Sequence, residues 1–313
     1  MLSLPAAARF SVQPLLAQGR TSLQHPVMRY RLLRATVVLL ATVLPTAPAA
    51  AQSPADAARA GATEPLVTGE TFTIQSTVLG EVRRINVFRP YIWWDTTEAA
   101  LPVMYMPDGG TQEDFLHIMG LLQISVMNGT MRPFLLVGIE NTERRRDLTG
   151  PTDDPEDRTI APRVGGSAAF RAFIRSELMP MIDARYATTD ESAIVGESLA
   201  GLFVVETLIE EPELFDTYIA IDPSLWWNRG ALVRRAAERI DTLHGRTVWL
   251  AASNERQISG LTAQLAALLG GERSPVARIH YEPMPEETHG TIYHPAALRA
   301  FRALFAPPLE EGQ

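Results

Sequence analysis

The sequence predicts an α/β domain built on a mostly parallel, doubly wound sheet with helices on both faces. Two observations carry that expectation. Short apolar runs of strand length alternate with longer segments whose apolar residues recur at three- and four-residue steps. Strands separated by helices are joined by crossovers, which makes neighbouring strands parallel and gathers an active site at their C-terminal edge. Length sets the scale: 313 residues, 46% of them hydrophobic, suffice for one substantial domain of this kind and fall short of two.

Taken in order, the chain opens with a leader outside the fold. After Met28 come Arg29, Arg31 and Arg34, an apolar run from Ala35 to Leu44, and an Ala-x-Ala ending at Ala49 and Ala51. A basic start, a short apolar core and small residues make a secretory signal. The apolar run is well short of the roughly 20 residues that a membrane span needs. The expectation is translation from Met28, cleavage after Ala51, a periplasmic or extracellular destination and no lasting membrane anchor. Residues 52–68, rich in Ala, Pro, Ser and Gly, read as a flexible lead-in, with the globular domain over 69–307 and a short tail at 308–313.

Within the domain, Phe72 to Leu79 and Val82 to Phe88 alternate in the manner of strands around a turn at Gly80, which predicts an opening hairpin. Strands follow at Val103 to Met106, Leu135 to Ile139, Ala193 to Val195, Tyr218 to Ile221 and Val248 to Ala252, with a weaker one at Ile279 to Tyr281. Between them, Phe170, Phe173, Ile174, Leu178 and Met181 share one helical face ahead of Ile182. The segments Leu202 to Ile209, Ala231 to Ile240, Leu261 to Leu269 and Ala297 to Phe305 have the same period. Glu140 to Gly166 has none. A loop of that length inside a compact domain is a functional candidate, and it begins just after a central strand.

Composition narrows the chemistry. Cysteine is absent, and all 28 basic residues are arginine. Thiolate nucleophiles, thiolate metal sites and disulfides are excluded, as are Schiff-base, Ser–Lys and P-loop chemistry. The formal charge of −8 becomes −13 once the five arginines of residues 1–51 are removed. A domain so acidic, whose longest basic run is Arg144 to Arg146, is not built for nucleic acid. The histidines are scattered without an H-E-x-x-H pair, so no metal ion or cofactor is expected.

The strand ending at Val195 runs into Gly196-Glu197-Ser198-Leu199-Ala200-Gly201, which opens the helix at Leu202. A serine between small residues at a strand-to-helix junction is the nucleophile elbow of an α/β-hydrolase, with the helix N-terminus aimed at the substrate. Its hydroxyl needs a histidine base. In this fold the histidine comes last, in a loop after the final strand, which selects His289 in Glu286-Glu287-Thr288-His289-Gly290 over His294 at the start of the last helix. His117 and His244 fall on predicted helices, His280 in a strand and His25 in the leader. The acid that orients the imidazole should follow an intervening strand. Glu255, just past Val248 to Ala252, is the first candidate, and Asp222, at the end of the preceding strand, is the second. The oxyanion of a tetrahedral intermediate needs two backbone donors. Leu199 should supply one, and Gly109 or Gly110 in Pro107-Asp108-Gly109-Gly110 the other.

On these residues the chain resembles the esterase family that includes enterobactin and bacillibactin trilactone esterases, S-formylglutathione hydrolases and feruloyl esterases, with the siderophore-esterase branch nearest. The carrying segments are Tyr105 to Gly109, Val137 to Arg144, Arg146 to Thr149, Gly196 to Phe203, Pro223-Ser224-Leu225-Trp226-Trp227 and Glu287 to Gly290, in family order from about Phe72 to Phe305. The resemblance implies a serine triad at Ser198 and His289 with a carboxylate near Glu255, an oxyanion loop at Asp108 to Gly110, and a small-molecule ester as substrate. Two positions depart from the family: Glu197 stands where relatives usually carry histidine, and Ala200 where glycine is usual. A carboxylate beside the nucleophile would alter pH dependence or charge preference. Trp226 and Trp227 are candidates to wall an aromatic acyl or catecholate group, and Arg144 and Arg146 to hold an anionic one.

Siderophore lactones, feruloyl or acetyl esters and small acyl esters all fit these motifs. So does transfer of the acyl group to a sugar hydroxyl, as in mycolyltransferases, which product analysis with a sugar acceptor separates from hydrolysis. A protein that keeps the fold as a non-catalytic binding module would fail to react with a fluorophosphonate probe.

Overall fold

The computed structural model of the protein describes residues 64–92 and 99–308. The expected secretory signal and Met28 start, most of the expected 52–68 lead-in and all but the first residue of the 308–313 tail lie outside the described residues.

Eight strands form one sheet: β1 (Glu70–Gln75), β2 (Val82–Phe88), β3 (Leu101–Pro107), β4 (Leu135–Ile139), β5 (Thr188–Glu197), β6 (Thr217–Ile221), β7 (Thr247–Ala252) and β8 (Arg278–Pro283). Their spatial order is β1-β2-β4-β3-β5-β6-β7-β8. The β1–β2 hairpin is antiparallel and meets β4 antiparallel, and every pair from β4 to β8 is parallel. β3, β4 and β6 are buried at every residue. Successive side chains of a strand point to opposite faces, so both faces of the sheet are covered, and the apolar runs are continuous for that reason.

The helices are α1 (Phe115–Met127), a single turn α2 (Arg144–Asp147), α3 (Ser167–Phe173), α4 (Met179–Arg185), α5 (Ser198–Glu210), α6 (Trp227–Arg239), α7 (Arg256–Leu269) and α8 (Tyr293–Leu304). α1 packs on α8, while α5, α6 and α7 pack in sequence as a second group. A π turn over Ile174–Leu178 joins α3 to α4. Phe170, Phe173, Ile174 and Leu178 are buried as their spacing predicts, but the widened turn rotates the face that α4 presents. Ile182 takes the core position and Met181 is exposed. His244 lies in a turn before β7 rather than on a helix.

Register brings the site together. Glu197 of β5 pairs with Ile221 of β6, and Ile221 with Ala251 of β7. Parallel neighbours in this register end level, so the next residues along each chain, Ser198, Asp222 and Ala252 with Ser253, leave the same edge side by side.

Candidate active site

Ser198 sits at φ 59°, a left-handed backbone that serine pays for in strain. The turn is possible because Gly196 has no side chain: a Cβ there would lie 2.6 Å from the carbonyl carbon of Ala200. Ala200 therefore fits in place of the usual glycine, its own methyl occupying the space Gly196 leaves. Ser198 starts α5, and Leu199 follows in the first turn, where an amide has no intrahelical acceptor.

His289 comes in on the loop between β8 and α8. Its Nε2 is 3.0 Å from Ser198 Oγ, and its Nδ1 is 2.6 Å from Oδ2 of Asp222. Asp222 is fully buried at the end of β6 with φ 46°. The Ser253 amide donates to its Oδ1 at 2.6 Å and the Ser253 hydroxyl to its Oδ2 at 2.8 Å. Donation of the imidazole Nδ1–H to Asp222 holds the His289 pKa above its ordinary value, with Glu197 and Glu255 adding to the effect and burial opposing it. With Nδ1 tied to a buried carboxylate, the neutral ring presents the Nε2 lone pair to Ser198.

The carboxylate at His289 Nδ1 is therefore Asp222, and the preference for Glu255 is corrected. Glu255 is the residue before α7, where its backbone caps the chain entry and its side chain makes no cap hydrogen bond. Its negative charge reaches His289 through space. The reason is register: the turn after β6 leaves the sheet next to the elbow, one strand closer than the turn after β7.

The oxyanion loop needs a second correction. The Gly109 amide donates to the Ile139 carbonyl at 3.0 Å and is not available to a substrate. Gly109 serves close approach instead, since a Cβ would lie 2.3 Å from the Cα of Gly138 on β4. Its carbonyl accepts from buried Asn86 at 2.7 Å. The Gly110 amide donates to Glu113 Oε2 at 2.7 Å. Leu199 remains a donor candidate, and Gly110 joins it only where the Glu113 side chain gives way to a substrate.

The arginines are scaffold. Arg144 forms a two-pronged pair with Asp108 (Nε to Oδ1 and Nη2 to Oδ2, each 2.8 Å), and Asn141 donates to the same Oδ1 at 2.5 Å. Asp108 has φ 57°, so this clamp holds the strained residue that presents Gly109 and Gly110. Arg146 donates to both oxygens of Glu81 and to Asp147 Oδ1. Arg83, completely buried, donates to Asp147 Oδ2 at 2.5 Å and to the Glu140 carbonyl at 2.9 Å. Arg144 and Arg146 are both committed to carboxylates of the protein, Asp108 for the first and Glu81 with Asp147 for the second. Trp227 is equally committed: it is buried, and its indole N–H donates to the Gly150 carbonyl at 2.9 Å. Trp226 beside it is partly buried against the core.

Sequence reasoning missed Ser253, Asn141 and Glu113 as parts of the site. Only Asn141 carried a signal, as the polar residue closing the run after β4. His117 and His294 form a hydrogen bond with each other at 3.0 Å. Among the described residues, no cluster of three or more His, Asp or Glu side chains is set to hold a metal ion.

A left-handed serine at a strand-to-helix elbow, with histidine and a buried aspartate in line, defines the serine-hydrolase arrangement of an α/β-hydrolase fold. Residues 76–306 match the family model described as Putative esterase, and the chain belongs to that family. It is 32% identical over 192 residues to the ferri-bacillibactin esterase BesA of Bacillus subtilis (strain 168), covering 54% of this chain and 65% of that one. It is 30% identical over 196 residues to the siderophore triacetylfusarinine C esterase of Aspergillus fumigatus, covering 57% and 63%. Each match spans just under two thirds of the relative's own length. Among solved structures, an IroE-like serine hydrolase from Shewanella oneidensis superposes with a TM-score of 0.68 at 27% identity, over 76% of this chain and 80% of that one.

Proposed function

We propose that the protein is a serine carboxylic-ester hydrolase that works through an acyl-enzyme on Ser198, with a siderophore ester as its substrate. The observation that carries this reading is the continuous hydrogen-bond line from Ser198 Oγ through His289 to Asp222, at 3.0 and 2.6 Å. In the first half-reaction, Ser198 Oγ attacks the ester carbonyl while His289 Nε2 takes its proton. The Leu199 amide and a donor of the Asp108–Gly110 loop hold the oxyanion. Asp222 stabilises the imidazolium, which then protonates the departing alkoxide, so the alcohol leaves and the acyl group stays on Ser198. In the second half-reaction water enters with His289 again as base, and the acid is released.

Hydrolysis rather than acyl transfer is favoured by the relatives, which are named as esterases, and the 42% exposure of the His289 side chain gives water access to the acyl-enzyme. The siderophore class is supported by the two curated relatives, both esterases of iron-chelating siderophores by name. Export is part of the same proposal. It rests on the leader at residues 28–51, and no described helix is long and apolar enough to cross a membrane.

The test is a burst assay with p-nitrophenyl acetate on protein starting at Gln52, beside Ser198→Ala and His289→Ala. Turnover by the wild type and a loss of roughly 10³-fold or more in both variants is expected. A folded but inert wild type, or a Ser198→Ala variant that keeps its rate, overturns the reading. Catecholate trilactones are the first natural substrates to try.

A further inference from the structure

The residue before the nucleophile has no part in the mechanism above, yet it touches the base. Glu197 Oε1 lies 3.4 Å from His289 Nε2, the same nitrogen that faces Ser198 Oγ at 3.0 Å. Its side chain is 16% exposed. Glu197 occupies the position before α5 where an acidic residue commonly caps the helix by accepting an amide of the first turn, but it makes no such bond. Its carboxyl is turned to the imidazole instead, which also leaves the first-turn amides open.

We propose that Glu197 is a positioning residue that shares the Nε2 side of His289 with Ser198 and thereby sets the pH above which the enzyme is active. The proposal rests on the serine mechanism given above. Its logic is one of proton occupancy. While a proton lies between Glu197 and Nε2, whether on the carboxyl or on the imidazole, the Nε2 lone pair cannot accept from Ser198. When that proton leaves to solvent, the base is free.

The surroundings fit this role. Facing Glu197 are His289 from the β8–α8 loop, Arg144 from α2, Asp222 from the end of β6 and Asp108 from the end of β3; Tyr293 of α8 is near enough to feel its charge. Arg144 is held by Asp108 through two hydrogen bonds, so His289 is the neighbour whose charge varies with pH. Burial pushes the Glu197 carboxyl up to about 7, against the pull of His289 and Arg144. The carboxylates Asp222, Glu197 and Glu255 together raise the imidazole, so the acid limb of the wild type sits higher than Asp222 alone would put it.

The experiment is the pH profile of kcat/KM for a neutral ester, together with the pH profile of fluorophosphonate labelling of Ser198, for wild type, Glu197→Gln and Glu197→Asp. Glu197→Gln should move the midpoint of both acid limbs down by about one pH unit, which is about tenfold more activity at a pH below both midpoints. Glu197→Asp, a shorter carboxylate drawn back from Nε2, should move them by less, and it decides the matter if the Gln variant fails to fold. Unchanged limbs in folded, labelled variants overturn the role of Glu197 and leave the serine mechanism standing. A wild type that neither turns over nor takes the label overturns both.

Discussion

Asp222→Asn tests the candidate site most sharply, because it changes charge and tautomer while keeping shape. Asn tolerates the left-handed backbone that Asp222 adopts at φ 46°. Its amide oxygen can still accept from the Ser253 N–H, now at 2.6 Å, and the Ser253 hydroxyl can turn to accept from the new NH₂. The casualty is the bond to His289. An amide NH₂ at the Asp222 Oδ2 position, 2.6 Å from Nδ1, donates and forces the ring proton onto Nε2, which then donates to Ser198 Oγ and has no lone pair left to take the serine proton. The wrong tautomer, together with the lost charge opposite the imidazolium, costs a serine triad on the order of 10³- to 10⁴-fold in kcat, or about 4–5.5 kcal/mol of transition-state stabilisation. Glu255→Gln is the matched control. It removes only a through-space charge, so a change below about threefold is expected, with a small downward move of the acid limb. The assay is steady-state hydrolysis of p-nitrophenyl acetate, with thermal unfolding to show that both variants are folded. If Asp222→Asn stays within tenfold of wild type while Glu255→Gln collapses, Glu255 is the triad acid and the register argument is wrong.

The scaffold beneath the site can be probed in the same way. Arg83→Met removes a fully buried cation from Asp147, which is itself buried, and should destabilise the domain by about 3–5 kcal/mol in urea unfolding; a loss below about 1 kcal/mol would mean the cluster is decorative. The hydrogen bond from Arg146 holds the Glu81 carboxyl down at about 2. A lowered folded pKa contributes stability above the unfolded value of 4.5, so the wild-type advantage over Glu81→Gln should be constant above about pH 5 and vanish as pH falls towards 2. Gly109→Ala should cost about 3 kcal/mol, because its Cβ meets the β4 backbone at 2.3 Å. Gly110→Ala, whose Cβ first meets the flexible end of Glu113 at 2.8 Å, should be milder in stability; equal losses on thermal denaturation would contradict the distinction.

The strand segments along the chain, the strand-to-helix turn at Ser198 and the loop that carries His289 were legible because each rests on local pattern. Leu135–Ile139 is a strand in the sequence and in the structure with the same bounds. Ser198 is marked by the small residues that its turn requires, and His289 by its place after the last strand. The carboxylate that meets His289 Nδ1 was not legible in the same way. Asp222 and Glu255 each follow a strand, and they are separated only by the Glu197–Ile221 register, which is a property of the assembled sheet. Gly109 and Gly110 are alike in sequence, and only the structure separates the Gly109 amide, held by the Ile139 carbonyl of β4, from the Gly110 amide, held by the Glu113 side chain. Arg144 and Arg146 read as an open basic run because their acids are remote, Asp108 just past β3 and Glu81 at the head of β2. Met181 keeps helical spacing in sequence and leaves the core only because a π turn precedes it.

The segment from Glu140 to Leu148 therefore has a different purpose from the one its charge suggests. Asn141 and Arg144 converge on Asp108, while Arg146 and Asp147 tie the same turn to Glu81 and Arg83 on the β2 side of the sheet. Asp108 is strained, and a strained residue persists only where its surroundings over-determine it. The clamp holds Asp108 in place ahead of Gly109 and Gly110, so the run after β4 braces the loop that follows β3. Of the three consecutive arginines, Arg145 is the exposed one. Next to Ser198 the charge that remains is the Glu197 carboxyl, 3.4 Å from His289 Nε2, so the charge of the arginine run is taken up by bracing and not by the nucleophile's surroundings.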